Sequence, residues 1–123
     1  MENKNISVLI VEDEIIVAME IEIRLKRNKF IVVGVAHNNE KALELAIKHS
    51  PEIILMDINL KSSKDGIQTS VEILSQIKTK ILFVSAYNDD ETLKRIEVIP
   101  GARLLYKPFN VGDLISSINS YFN

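Results

Sequence analysis

The sequence predicts an α/β fold, a doubly wound five-stranded parallel sheet with five helices, and three observations predict it. Short apolar runs alternate five times with segments of helical spacing along the 123 residues. The connections are short, and such alternation implies a parallel sheet with right-handed crossovers and helices on both faces. Two runs, Ile53 to Met56 and Ile81 to Val84, are apolar at every position, as expected of strands covered on both faces.

Ser7-Val8-Leu9-Ile10-Val11 is the first strand and ends at once in Glu12-Asp13-Glu14. Helical spacing follows from Ile15 to about Asn28. Val17, Ile21 and Leu25 recur every four residues with Ala18 beside them, and Asp13 is placed to cap the start. Ile16, Met19 and Ile23 form a second apolar stripe. It reads first as packing against a neighbouring helix and second as a partner-docking face. Phe30 to Ala36 is the second strand. Asn38 or Asn39 caps a helix running to about His49, and Ser50-Pro51 stops it, because the residue before Pro is pushed out of helical geometry.

The third strand is Ile53 to Met56, ending in Asp57. A polar loop from Ile58 to Asp65 breaks at Gly66, where a third helix carrying Ile67, Val71, Leu74 and Ile77 begins. The fourth strand ends in Ser85. Asn88, Asp89 and Asp90 offer a cap to the fourth helix, with acidic charge where the helix dipole favours it. Pro100-Gly101 ends that segment. Arg103 to Tyr106 is a short fifth strand running into Lys107-Pro108, and a last helix from Asn110 to Phe122 turns Leu114, Ile115, Ile118, Tyr121 and Phe122 inward. The five units fill residues 1–123 as a single domain, with its core at about 6–122.

Composition narrows the function. Fifteen basic against seventeen acidic residues, a net charge of −2, argue against direct nucleic-acid binding through a basic surface. There is no Cys, so no disulfide framework or thiolate metal site. No signal-like apolar core follows Met1, and no run is long enough to span a membrane. A cytoplasmic protein is expected. His37 and His49 fit no metal-ligand spacing and read as surface residues.

Open α/β sheets bind ligands at the carboxyl ends of their strands. Here those ends carry Glu12 and Asp13, Asp57, Ser85 and Lys107. Taken singly, the acidic triplet is a helix start, Ser85 a strand-end hydroxyl and Lys107 a surface lysine. Gathered on one rim, three carboxylates repel one another, and either raised pKa values or a bound cation relieves this. Oxygen donors without Cys or His suit a hard ion such as Mg²⁺. Lys107 and Ser85 suit an anionic phosphoryl group, and an aspartate in this setting can act as a nucleophile toward phosphorus.

Val11-Glu12-Asp13, Leu55-Met56-Asp57-Ile58, Asp65-Gly66, Phe83-Val84-Ser85-Ala86 and Tyr106-Lys107-Pro108-Phe109 together resemble the receiver domain of two-component response regulators. The resemblance implies a flavodoxin/CheY-like sheet of order 2-1-3-4-5. It implies that Asp57 is the phosphoacceptor, served by a phosphohistidine of a sensor histidine kinase or histidine phosphotransfer domain. Asp13 would bind Mg²⁺ directly and Glu12 largely through water, with Asp57 and the Asn59 backbone carbonyl completing the metal site. Ser85 and Lys107 would engage the phosphoryl group, and Lys107-Pro108 would be cis. Phosphorylation would reshape the face made by the fourth helix, fifth strand and fifth helix. The chain is then no enzyme in the turnover sense, and assists only its own phosphorylation and dephosphorylation. The resemblance leaves a homodimer open.

Three places depart from the commonest family pattern. Lys61 stands where Pro is usual, in a loop one residue longer. Leu104 holds the position of the family's switch aromatic, while Tyr106 adjoins Lys107. The turn Pro100-Gly101-Ala102 leads into a fifth strand one residue short. Tyr87, two residues past Ser85, either borders the acceptor or is an exposed loop tyrosine. Two other functions compete. A flavodoxin-like cofactor module needs a Gly/Ser/Thr-rich loop after the first strand, where Glu12-Asp13-Glu14 repels phosphate. A phosphatase with Asp57 as nucleophile needs a further acid, and Asn59 is no proton donor.

Overall fold

The computed structural model describes residues 5–86 and 89–122. Ten elements alternate: β1 (Ser7–Val11), α1 (Ile15–Arg27), β2 (Ile31–Ala36), α2 (Asn39–His49), β3 (Ile53–Asp57), α3 (Gly66–Leu74), β4 (Lys80–Ser85), α4 (Asp90–Glu97), β5 (Arg103–Tyr106) and α5 (Val111–Asn119). The strands form one sheet of order β2-β1-β3-β4-β5, every pair parallel. The expected architecture and strand order are those observed.

Alternation along the strands sends neighbouring side chains to opposite faces. Leu9, Val11, Ile54, Met56, Ile81 and Phe83 pack on one face with Ala42 and Ala46 of α2, Ile67 and Ile73 of α3 and Ile96 of α4. Val8, Ile10, Ile53, Leu55, Leu82 and Val84 pack on the other with Ala18, Ile21 and Leu25 of α1 and Leu114 and Ile118 of α5. Each fully buried Val, Leu, Ile, Met or Phe among them contributes about 1.5–3 kcal/mol. Both faces are therefore covered, which is why β3 needs five buried residues in a row. Side-chain caps fix the starts of four helices. Asn38, Asp65, Asp89 and Asn110 accept from the backbone N–H of Lys41, Gln68, Thr92 and Asp113.

Several local expectations need correction. Glu14, not Asp13, occupies the N-cap position of α1, and it makes no side-chain cap; Asp13 is drawn instead toward the loop after β3. The stripe of Ile16, Met19 and Ile23 does not pack on a neighbouring helix. It faces solvent together with Ile15, and Ile16 is 79% exposed, because one sheet face needs only the Ala18-Ile21-Leu25 side of α1. The regular helix of α5 stops at Asn119, short of Phe122; Tyr121 and Phe122 still pack against the core. Phe30 is buried just before β2 rather than within it. Tyr87 and Asn88 lie outside the described residues.

Candidate functional site

Register sets the site. Val11 pairs with Met56, Asp57 with Val84, and Ser85 with Tyr106. Glu12, Asp57, Ser85 and Lys107 therefore leave adjacent strands at the same rim. Backbone bonds pin the strand ends: Glu12 N–H donates to the Ala36 carbonyl at 2.9 Å, Ile58 N–H to Val84 at 3.0 Å, and Lys107 N–H to Ser85 at 2.8 Å. Glu12 (2% exposed), Asp57 (4%) and Ser85 are buried. Asp13 and Lys107 are half-buried, and Asn59 is exposed. The Lys107-Pro108 peptide is cis, as the resemblance implies.

Glu12, Asp13 and Asp57 each present a carboxylate oxygen, all within 4.8 Å of one another. Like charges this close, with two of the groups buried, demand compensation. Lys107 Nζ supplies part of it, 3.0 Å from Glu12 Oε1 and 3.6 Å from Asp57 Oδ2. Burial drives Glu12 up to a pKa of about 7; the Glu14 N–H opposes this, the charge of Asp57 adds to it, and Lys107 offsets part of it. Burial also acts to lower Lys107, but the hydrogen bond to Glu12 and the charges of Asp57, Glu12 and Glu14 outweigh it, so its pKa lies above the usual lysine value. The oxygens of Glu12 are both engaged, Oε2 by the Glu14 N–H at 3.1 Å and Oε1 by Lys107. A set of three hard oxygen donors with one ammonium beside them fits a hydrated divalent cation such as Mg²⁺.

The loop after β3 closes over this cluster. Asn59 N–H donates to Asp57 Oδ1 at 3.0 Å, orienting that carboxylate. Lys61 N–H points at Asp13 Oδ2, 3.4 Å away. Ser62 Oγ accepts from the Asn39 N–H, and Ser63 Oγ donates to Asn39 Oδ1, both at 3.3 Å. Gly66 N–H donates to the Ile58 carbonyl at 2.8 Å. A Cβ at Gly66 would meet the Asp57 carbonyl oxygen at 2.1 Å. Glycine there is a matter of contact with the Asp57 backbone itself.

The structure brings Glu12, Asp13, Asp57 and Lys107 into one cluster, sets Ser85 at the adjoining strand end, and leaves Asn59 at the rim. Sequence reasoning missed three partners of this site. His37 Nδ1 lies 2.8 Å from the Glu12 carbonyl. Asn39 is buried under the loop. Arg95 of α4 pairs with Asp65 at the loop's far end. No spacing signal announces any of them; His37 alone stands at a strand end, one residue past Ala36. Leu104 packs against the core beside β4, and Tyr106 is largely exposed. An apolar groove of about 580 Å³ runs between α1 and the β5–α5 connection, lined by Val17, Ile21, Phe109 and Leu114 and reaching Lys107.

Comparison with known proteins agrees with this arrangement. The family model for the response regulator receiver domain matches residues 8–119. The chemotaxis protein CheY of Bacillus subtilis is 33% identical over 120 residues, 94% of this chain and 97% of that protein. The transcriptional regulatory protein PdtaR of Mycobacterium tuberculosis is 32% identical over 111 residues, 90% of this chain but 54% of that protein. The chain thus spans about half the length of that relative. The signal receiver domain of a modulated diguanylate cyclase from Desulfovibrio desulfuricans G20 superposes with a TM-score of 0.83 at 34% identity, covering 93% of this chain and 90% of that one. A family match along nearly the whole chain, on a sheet of the same order, decides the assignment: this chain belongs to the response regulator receiver domains of two-component phosphorelay signalling.

Proposed function

We propose that Asp57 accepts a phosphoryl group from a phosphohistidine of a sensor histidine kinase or histidine phosphotransfer domain. The observation that carries this is the convergence of a buried Asp57 with Glu12, Asp13 and Lys107 at one rim. Asp57 Oδ1 is held by the Asn59 N–H, so Oδ2, on the Lys107 side, is the oxygen to attack phosphorus. The P–N bond breaks as the P–O bond forms, and the leaving imidazole keeps the electron pair and takes up a proton. Lys107 pairs with a phosphoryl oxygen and Ser85 donates its hydroxyl to another. Glu12, Asp13, Asp57 and the Asn59 carbonyl would hold Mg²⁺, which when bound supplies positive charge to the transferring group.

In this reading the whole chain, residues 1–123, is one receiver domain acting in the cytoplasm. No described helix is long and apolar enough to cross a membrane. Output runs through the α4-β5-α5 face, to a protein partner or a second copy of the chain. Direct nucleic-acid binding is disfavoured by the net charge of −2. Catalysis is confined to the chain's own phosphorylation and dephosphorylation.

Acetyl phosphate with Mg²⁺ tests the reading. Intact-mass and peptide mass spectrometry should place one phosphoryl group on Asp57, and Asp57→Asn should abolish it. Phosphate on another residue, or none even with a cognate donor, sinks the proposal.

A further inference from the structure

α4 is thinly held. Of its residues Asp90–Glu97, Ile96 is the buried one, and the half-buried Arg95 makes an ion pair to the start of α3. The Arg95 Nη2 stands 2.8 Å from Asp65 Oδ2 and 3.1 Å from Asp65 Oδ1. Asp65 is not a free surface acid. It is the N-cap of α3 in a reciprocal capping box: its Oδ1 accepts the Gln68 N–H at 2.9 Å, and Gln68 Oε1 accepts the Asp65 N–H at 2.9 Å. Next to it, Gly66 lies against the Asp57 carbonyl so closely that a Cβ would meet that oxygen at 2.1 Å, and its N–H bonds the Ile58 carbonyl. A continuous line of contacts therefore runs from the acceptor's own peptide group to Gly66, to the Asp65 carboxylate and to the guanidinium on α4.

We propose that Arg95 is a positioning residue that ties α4 to the acceptor loop, so that a change at Asp57 reaches α4 through the Asp65–Arg95 ion pair. The inference rests on the phosphoacceptor reading of Asp57 and deepens it by naming a route of output. Displacement of the Asp57 backbone cannot leave Gly66 in place, because the two are in contact. Gly66 carries Asp65 with it, since the capping box makes the loop end and the first turn of α3 one unit. Asp65 then draws or releases Arg95. The side chains of the pair are 38% and 30% exposed, so it biases a two-state equilibrium by about two- to five-fold. A helix with one buried residue is the kind of element such a small bias can move.

The test is amide NMR of the 123-residue chain titrated with beryllofluoride and Mg²⁺. In the wild type, amides around Asp57 and along α4 both shift. In Arg95→Gln, and in Asp65→Asn, which retains a capping oxygen, the shifts along α4 fall by half or more while those around Asp57 persist. The double variant falls no further than either single, and Arg95→Lys recovers part of the response. A wild-type response along α4 in Arg95→Gln overturns the inference, as do losses that add in the double variant. An α4 that stays silent in the wild type overturns it as well. A wild type that does not bind beryllofluoride at all is a different failure, that of the phosphoacceptor reading itself.

Discussion

Lys107 Nζ lies closer to Glu12 than to Asp57, 3.0 Å against 3.6 Å. One ammonium is shared between two buried carboxylates and is bonded to the one the family resemblance does not make the acceptor. Its removal leaves both acids uncompensated, and breaking a buried pair from one side is costly. Lys107→Met should therefore lose phosphorylation by acetyl phosphate. It should also lower the stability of the metal-free protein at pH 8 by about 2 kcal/mol, measured by urea unfolding in the presence of a chelator.

Glu12 gives a pH dependence of definite sign. Its pKa in the fold is about 7, against 4.5 unperturbed. A carboxyl with a raised pKa binds its proton more tightly when folded. Its favourable contribution is complete below pH 4.5 and is lost as pH rises through about 7. In chelator, Glu12→Gln should match the wild type near pH 4.5 and exceed it at pH 8 by on the order of 1–3 kcal/mol. Cation binding competes with the same proton, so wild-type affinity for Mg²⁺ should strengthen across this interval. Isothermal titration at several pH values reads it directly.

Asp13 is a second member of the acidic set whose charge the fold does not require. It is half-buried and caps no helix, and its Oδ2 is 3.4 Å from the Lys61 N–H, a contact an amide oxygen can keep. Asp13→Asn should leave metal-free stability within about 0.5 kcal/mol of the wild type or raise it, while weakening Mg²⁺ on the order of tenfold or more. A clear loss of metal-free stability would mark Asp13 as a structural acid.

Gly66→Ala sets a helix preference against a collision. Alanine in a helix is favoured over glycine by about 1 kcal/mol. The added Cβ meets the Asp57 carbonyl oxygen at 2.1 Å and Ile58 Cα at 2.8 Å, both of them backbone. Backbone cannot swing aside as a side chain can, so the collision wins. The variant should be destabilised by about 2 kcal/mol or more, and thermal unfolding should show it. Its phosphorylation should slow beyond what the stability loss explains.

Much of the fold was legible because its signals are local. Ile53 to Met56 and Ile81 to Val84 could only be strands covered on both sides, and every helix announced itself by spacing or by a cap such as Asn38 or Asp89. The rim of the site followed, since parallel strands align their ends. What stayed hidden depends on partners remote in the chain. Spacing makes Ile16, Met19 and Ile23 apolar neighbours, but only the finished packing shows that, among the described residues, no element covers that side of α1. Asp13 has the form of a cap, yet the loop after β3 claims it. The Arg95–Asp65 pair spans 30 residues with nothing in the sequence between them to foretell it.

The placement of β5 at the sheet edge, beyond β4, has a consequence for the order in which the protein comes into being. A ribosome releases β1 and β3 first, so the acidic cluster can assemble while the strand leading to Lys107 is still unmade. Lys107 and Glu12 are 95 residues apart. Until the last strand docks, the nascent chain holds three carboxylates without their ammonium. Like charges that close repel one another, so the docking of β5 delivers the ammonium that offsets them along with the last strand of the sheet.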